Sequence, residues 1–218
     1  INKIRSNIKK PSSVLATEMC PMFANPDSFK WNQVSVSEIR SVISQMKKTD
    51  SKDFYGLSSN MLKEIVDHVA EPLTISINLC LEQGVFPDSL KISKVIPVFK
   101  KGPTTSPASF RPISLIPVFG KVIEHIVYKQ VSLYLESHGF LSDQQFGFRQ
   151  GRSTISAIDT VVKEILNAFE SKEYAWTTLI DLSRAFDCVD HSLLLEKMEQ
   201  YGISGSAKQF FRSYLSKR

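Results

Sequence analysis

The chain has 218 residues, 42% of them hydrophobic, and a formal net charge of +5. That is enough apolar material for one sizeable core, which excludes wholesale disorder. Three scattered cysteines, Cys20, Cys80 and Cys188, exclude a disulfide framework and a paired-cysteine metal knuckle; the four histidines show no metal-ligand spacing, and no stretch reaches membrane-spanning length.

Residues 1–30 carry Pro11, Pro21 and Pro26 without periodicity and read as a linker or extension. Ser35-Val36-Ser37-Glu38 is a capping-box pattern and opens a helix with Ile39, Val42, Ile43 and Met46 on one face. Residues 49–57 are a polar loop ending at Gly56. A second helix is expected from Ser59 to Val69, with Pro72 stopping it and starting a third that Gly84 ends. Lys94–Phe99 reads as a strand, with Pro97 marking an edge or a bulge. Residues 101–109 are turn-rich, and Arg111 is expected in a Phe-Arg-Pro turn where Pro112 keeps it extended. A long helix follows from about Val118 to Ser137, with Gly139 as its stop. Another begins near Ser153, with a stripe of Ile155, Ile158, Val161, Val162, Ile165 and Leu166. Then come a strand over 176–182 and helices near 191–200 and from about Ser206. Helices outnumber strands in an α+β arrangement.

Charge is unevenly spread. Between Asp88 and Glu124 there is no acid, yet Lys91, Lys94, Lys100, Lys101, Arg111 and Lys121 fall there. A second acid-free window, between Asp143 and Asp159, holds Arg149 and Arg152. Local positive fields of this kind attract phosphate, in a nucleotide or a nucleic-acid backbone. The run Trp176-Thr177-Thr178-Leu179-Ile180 delivers one carboxylate, Asp181, to an immediate turn. A strand-end carboxylate is the kind of oxygen donor that Mg²⁺ takes. Asp190 precedes a helical pattern and reads as its N-cap; Asp187 lies too far past the strand end to join Asp181. Gly147 to Gly151 faintly echoes a phosphate loop but fails on spacing and has Arg152 where that loop has Lys.

Three ordered blocks carry a resemblance. They are Phe110-Arg111-Pro112-Ile113-Ser114-Leu115, Gln144 to Thr154 (QQFGFRQGRST), and Trp176 to His191 (WTTLIDLSRAFDCVDH). Together they resemble the reverse transcriptase of non-LTR retrotransposons, the jockey/CR1-like group of LINE elements. The likeness covers roughly residues 30–218. It implies the fingers and partial palm of a right-hand polymerase, helix-rich and ending before the rest of the palm and the thumb. On that plan 1–30 is a linker or extension, 31–92 an N-terminal helical region before the fingers, 93–175 the fingers and 176–218 an incomplete start of the palm.

The resemblance also implies roles. Asp181 would be the catalytic, metal-binding carboxylate, with Mg²⁺ as cofactor and Mn²⁺ as its substitute. Arg111 and one of Lys100 and Lys101 would grip the triphosphate of the incoming dNTP; the residues leave open which lysine. Phe186 matches the aromatic that packs beneath the nucleotide sugar and excludes a 2′-hydroxyl, and the backbone of Ser183, Arg184 and Ala185 would meet the triphosphate. Gln145, Gly147, Phe148, Arg149, Arg152 and Ser153 resemble the block that contacts the template. The implied partners are an RNA template, a DNA primer or target and dNTP, with no membrane, inside the cell and in the nucleus where an active element is copied.

The family's Pro-Gln-Gly block and its aromatic-Ala-Asp-Asp hairpin do not occur in these residues. The chain begins with Ile and ends inside a helical pattern, so it is expected to be a piece of a longer polypeptide that is inactive alone. The alternative is a non-catalytic, nucleic-acid-binding remnant of a retrotransposon. The expected strand over 176–182 would leave an exposed edge and an uncovered apolar face, a liability for aggregation.

Overall fold

The structure is a computed structural model and describes residues 28–182 and 185–217. It contains helices α1 (Val36–Gln45), α2 (Ser59–Glu64), α3 (Val66–Gln83), α4 (Val118–Ser137), α5 (Thr154–Glu170), α6 (His191–Gln200) and α7 (Gly205–Leu215). Two strands, β1 (Lys94–Phe99) and β2 (Phe110–Leu115), form an antiparallel hairpin. The chain divides into two compact units, and the described parts of these are residues 28–131 with 191–217, and residues 132–182 with 185–190.

The larger unit holds the core. Ile39 and Ile43 of α1, Leu62 of α2, Ile77 and Leu81 of α3, Val118, Val122 and Ile126 of α4 and Phe210 of α7 are buried in one cluster. Each comes from the apolar face of an amphipathic helix, which is why those helices pack. Ser35 caps α1 by accepting from the Glu38 N–H at 3.2 Å. The Glu38 carboxylate does not return to close the box; it pairs with Lys129 at 2.5 Å. The last helix, α7, belongs to the same core. Trp31 packs edge-on against Phe210, and Phe86 against Phe210 and Tyr214. The backbone of Phe86 and the Ser213 hydroxyl hydrogen-bond one another, and Asn78 ties both backbone groups of Val34.

Gly84 ends α3 in the left-handed conformation, with φ 66°. A Cβ there would stand 2.7 Å from the Ser206 carbonyl oxygen, so only glycine lets α3 and the start of α7 approach this closely.

Three local expectations need correction. The break between the second and third helices falls at Ile65, and Pro72 sits inside α3. Pro72 lies on the exposed side, where water can satisfy the carbonyl it leaves unpaired, while Ala70, Thr74 and Ile77 bury the opposite face. The Phe-Arg-Pro segment is strand β2 rather than a turn; the extended geometry that Pro112 imposes on Arg111 is strand geometry too. Pro97 and Pro112 stand opposite each other in the ladder, so Pro97 does mark an edge strand. Finally, residues 176–182 are not a strand. A strand needs a ladder partner, and among the described residues only β1 and β2 pair. Trp176, Leu179 and Ile180 are 94%, 93% and 85% exposed.

Candidate nucleotide and nucleic-acid site

The hairpin fixes the placement of its cations. Val98 stands opposite Arg111, and Phe99 opposite Phe110. The Lys100 N–H donates to the Ser109 carbonyl at 2.8 Å, extending the ladder one residue beyond β1. Side chains alternate across a sheet, and opposed residues share a face. Val98, Arg111 and Lys100 therefore lie on one face, with Arg111 and Lys100 as diagonal neighbours within reach of one phosphate group. Lys101 falls in the bend that follows, next to Gly102. Phe99 and Phe110 pack edge-to-face on the other side, with ring centroids 5.7 Å apart. Both Arg111 and Lys100 are exposed.

In the smaller unit, the loop between α4 and α5 is built around two arginines. Arg149 clasps Glu136 with two parallel bonds, Nε to Oε1 at 2.8 Å and Nη2 to Oε2 at 2.5 Å. Its Nη1 donates to the Ser142 carbonyl at 2.6 Å, and the side chain is only 8% exposed. The hydrogen bond from Arg149 holds the Glu136 carboxyl below the usual carboxylate range, and the same bond raises the guanidinium in turn. Arg152 reaches back to Asp143, to its carbonyl at 2.7 Å and its carboxylate at 3.0 Å, and lies over the Phe146 ring. Ser153 then caps α5 in a reciprocal box, accepting from the Ser156 N–H while Ser156 Oγ accepts from the Ser153 N–H.

This arrangement refines what the two arginines do. Each has its guanidinium engaged with an acid close by, Arg149 with Glu136 in the last turn of α4 and Arg152 with Asp143 in the loop itself, so they shape the loop. Gln145 does likewise, its Nε2 donating to the Gly147 carbonyl at 3.3 Å. Phe148 is presented outward: it takes φ 60° and is 82% exposed. Its ring meets the Phe186 ring edge-to-face at 6.1 Å, and Phe186 is itself 78% exposed. Two blocks far apart in sequence thus come together at one aromatic pair.

Asp181 is exposed, on the extended segment before that pair. Ala185 and Phe186 occupy a turn; Ser183 and Arg184, the other triphosphate candidates, lie outside the described residues. Among the described residues no three His, Cys, Asp or Glu side chains gather as a metal site. Asp181 suits Mg²⁺ as a single oxygen donor, but these residues do not supply the rest of a two-metal set. Arg111 and Lys100 belong to the larger unit, and Asp181, Phe186 and the 142–153 loop to the smaller.

Two residues with structural weight escaped the sequence. Glu136, the partner of Arg149, sits in the last turn of α4 and carries no motif. Asp53 lies in the polar loop after α1 and is buried, 6% exposed. Gly56, three residues on, is the available clue, because Asp at the first and Gly at the fourth position mark a β-turn that the Asp side chain can close.

Comparison with known proteins follows the same blocks. Residues 98–218 match the family described as Reverse transcriptase (RNA-dependent DNA polymerase). The chain is 31% identical over 192 residues to a probable RNA-directed DNA polymerase from transposon BS of Drosophila melanogaster, covering 85% of this chain and 20% of that protein. It is 32% identical over 164 residues to the probable RNA-directed DNA polymerase from transposon X-element of the same species, covering 75% and 18%. Against the RNA-directed DNA polymerase from mobile element jockey, also of Drosophila melanogaster, identity is 31% over 176 residues, covering 79% and 19%. The chain thus spans about a fifth of the length of these relatives. No helix among the described residues is long and apolar enough to cross a membrane.

Proposed function

The chain belongs to the reverse transcriptase family, in its non-LTR retrotransposon branch, and from that premise we propose that it forms the nucleotide- and template-engaging front of an RNA-directed DNA polymerase. The contact between Phe148 and Phe186 carries this reading, because it joins the block read as template-facing to the aromatic read as sugar-facing. A template base stacked near Phe148 and a deoxyribose against Phe186 would then be neighbours, as template-directed addition requires. A rigid ring beneath the sugar discriminates by steric exclusion of a 2′-hydroxyl.

The hairpin supplies the triphosphate grip. Arg111 gives two parallel donors to phosphate oxygens, and Lys100 adds a point charge on the same face. Their shared face favours Lys100 over Lys101 as its partner. Asp181 contributes one carboxylate to Mg²⁺, with Mn²⁺ able to substitute; in the bound state the metal supplies charge stabilisation for nucleotidyl transfer. The family's Asp-Asp hairpin, which does not occur in these 218 residues, would supply the remaining carboxylates, and on this reading the 218-residue chain alone is catalytically silent. The fingers-and-palm plan, the RNA template and the DNA primer belong to this same reading.

The test is photolabelling of the purified chain with an azido-dATP in the presence of an RNA–DNA hybrid, followed by peptide mapping. Saturable label on the hairpin and on residues 181–186, competed by dNTP and lost from the hairpin in Arg111→Ala, is the expected result. Label spread without saturation would sink the proposal. Primer extension by the 218-residue chain alone would overturn its catalytic silence.

A further inference from the structure

The hairpin that carries Arg111 and Lys100 has almost no core of its own. Every residue of β1 is exposed, as are the four central residues of β2. An isolated two-stranded hairpin is marginally stable in water. What fixes its orientation must act at its base, and one loop reaches both stems.

That loop is folded around the buried Asp53. Its Oδ1 accepts from the backbone N–H groups of Tyr55 at 2.9 Å and Leu57 at 3.0 Å, which closes the loop on itself. Its Oδ2 accepts from the Val118 N–H at 2.9 Å, just past the end of β2. Val118 is the first residue of α4, so this N–H has no partner within the helix, and a carboxylate suits the positive end of the helix dipole. Two residues along the same loop, the Tyr55 hydroxyl donates to the Ser89 carbonyl at 2.6 Å, shortly before β1. One short loop thus holds the chain on entry to the hairpin and again on exit.

We infer that residues 53–57 are a clasp on the hairpin base, and that Asp53 and Tyr55 are positioning residues for triphosphate capture. The inference rests on the reading of the hairpin as the triphosphate grip. Neither side chain touches nucleotide. They act by fixing where Arg111 and Lys100 point, so that the cost of ordering the hairpin is met before the nucleotide arrives.

Two substitutions separate the parts. Asp53→Asn can keep the Oδ1 bonds within the loop while setting an amide donor against the Val118 N–H. Tyr55→Phe removes only the hydroxyl. Both are made in the 218-residue chain and studied at a temperature where circular dichroism matches the wild type. The readouts are hydrogen exchange across β1 and β2 and titration with a fluorescent dNTP. Asp53→Asn is expected to speed exchange throughout the hairpin and weaken dNTP binding about tenfold, and Tyr55→Phe about threefold. A lower melting temperature with unchanged exchange and unchanged dNTP affinity would mean a merely structural role and would overturn the inference. If Asp53→Asn does not fold, Tyr55→Phe decides by the same criteria. If the wild type binds no dNTP, the triphosphate reading fails; hairpin exchange then decides the clasp alone, faster in the variants if it exists and unchanged if it does not.

Discussion

Helices α1 and α5 carry equally regular apolar stripes and meet opposite fates. Ile39, Val42 and Ile43 of α1 are buried in the main core. Ile155, Ile158, Val161, Val162 and Leu166 of α5 are all exposed, and no residue of α5 is buried. Periodicity therefore specifies a helix and the face it would bury, but burial needs a partner surface. The same lesson covers 176–182, whose apolar side chains also have no layer over them among the described residues. Both segments belong to the smaller unit, which is organised by polar contacts such as Arg149–Glu136 and the Ser153 cap.

The sharpest test of this contrast is a matched pair of truncations. Ile43→Ala should cost about 3 kcal/mol in urea unfolding, because it removes buried apolar volume from the core. Ile158→Ala should stay within about 0.5 kcal/mol. Equal losses would mean that α5 is covered in solution, and the comparison would break.

Gly84→Ala should cost about 2 kcal/mol or more by the same measurement, because it combines a left-handed backbone with a Cβ driven into Ser206. Gly139→Ala also meets a positive φ, but nothing stands within 4 Å of its Cβ. The excess of the first loss over the second isolates the close approach of α3 and α7.

Ser153→Ala should weaken α5 by about 1 kcal/mol of local stability, read as faster amide exchange in its first turn. No residue of α5 is buried, so the loss should be more visible there than for Ser35→Ala in α1, whose apolar face is in the core.

The smallest effect is the response to acid. The carboxyl of Glu136 is held low by Arg149, so its stabilisation is present above the ordinary carboxylate pKa and is lost as pH falls through the depressed one. Limited proteolysis should show the 138–152 loop opening at acidic pH, with the wild-type pH dependence abolished in Glu136→Gln. Asp88, held low by Lys91 and Lys217, should release its contacts over a similar range.

Much of this was legible in the chain. Val118–Ser137 was readable to its ends because a long apolar stripe meets Gly139, and Ser35 and Gly84 announced their helix ends by residue type. What was not legible depended on distant partners. Pro72 looks like a helix stop unless one knows that its side of α3 faces water. Arg111 looks like a turn residue until β1 pairs with β2, and Trp176–Leu182 looks like a strand until its ladder proves to have no second member among the described residues. Within the candidate site, Phe148 and Phe186 were named separately, and only the fold joins them. Arg149 was read for its charge, but its clasp on Glu136 cannot be seen from spacing.

The paired prolines of the hairpin have one more consequence. The bond from Lys100 to Ser109 sets the alternation, so Pro97 and Pro112 occupy a non-hydrogen-bonded pair whose nitrogens point away from each other, toward the two free edges. Neither edge has a donor at its midpoint. A stray strand seeking to lengthen this sheet from either side meets a gap in the ladder, and the hairpin is sterile to growth. A basic two-stranded finger can thus stand in water with its backbone edges bare and still remain two-stranded.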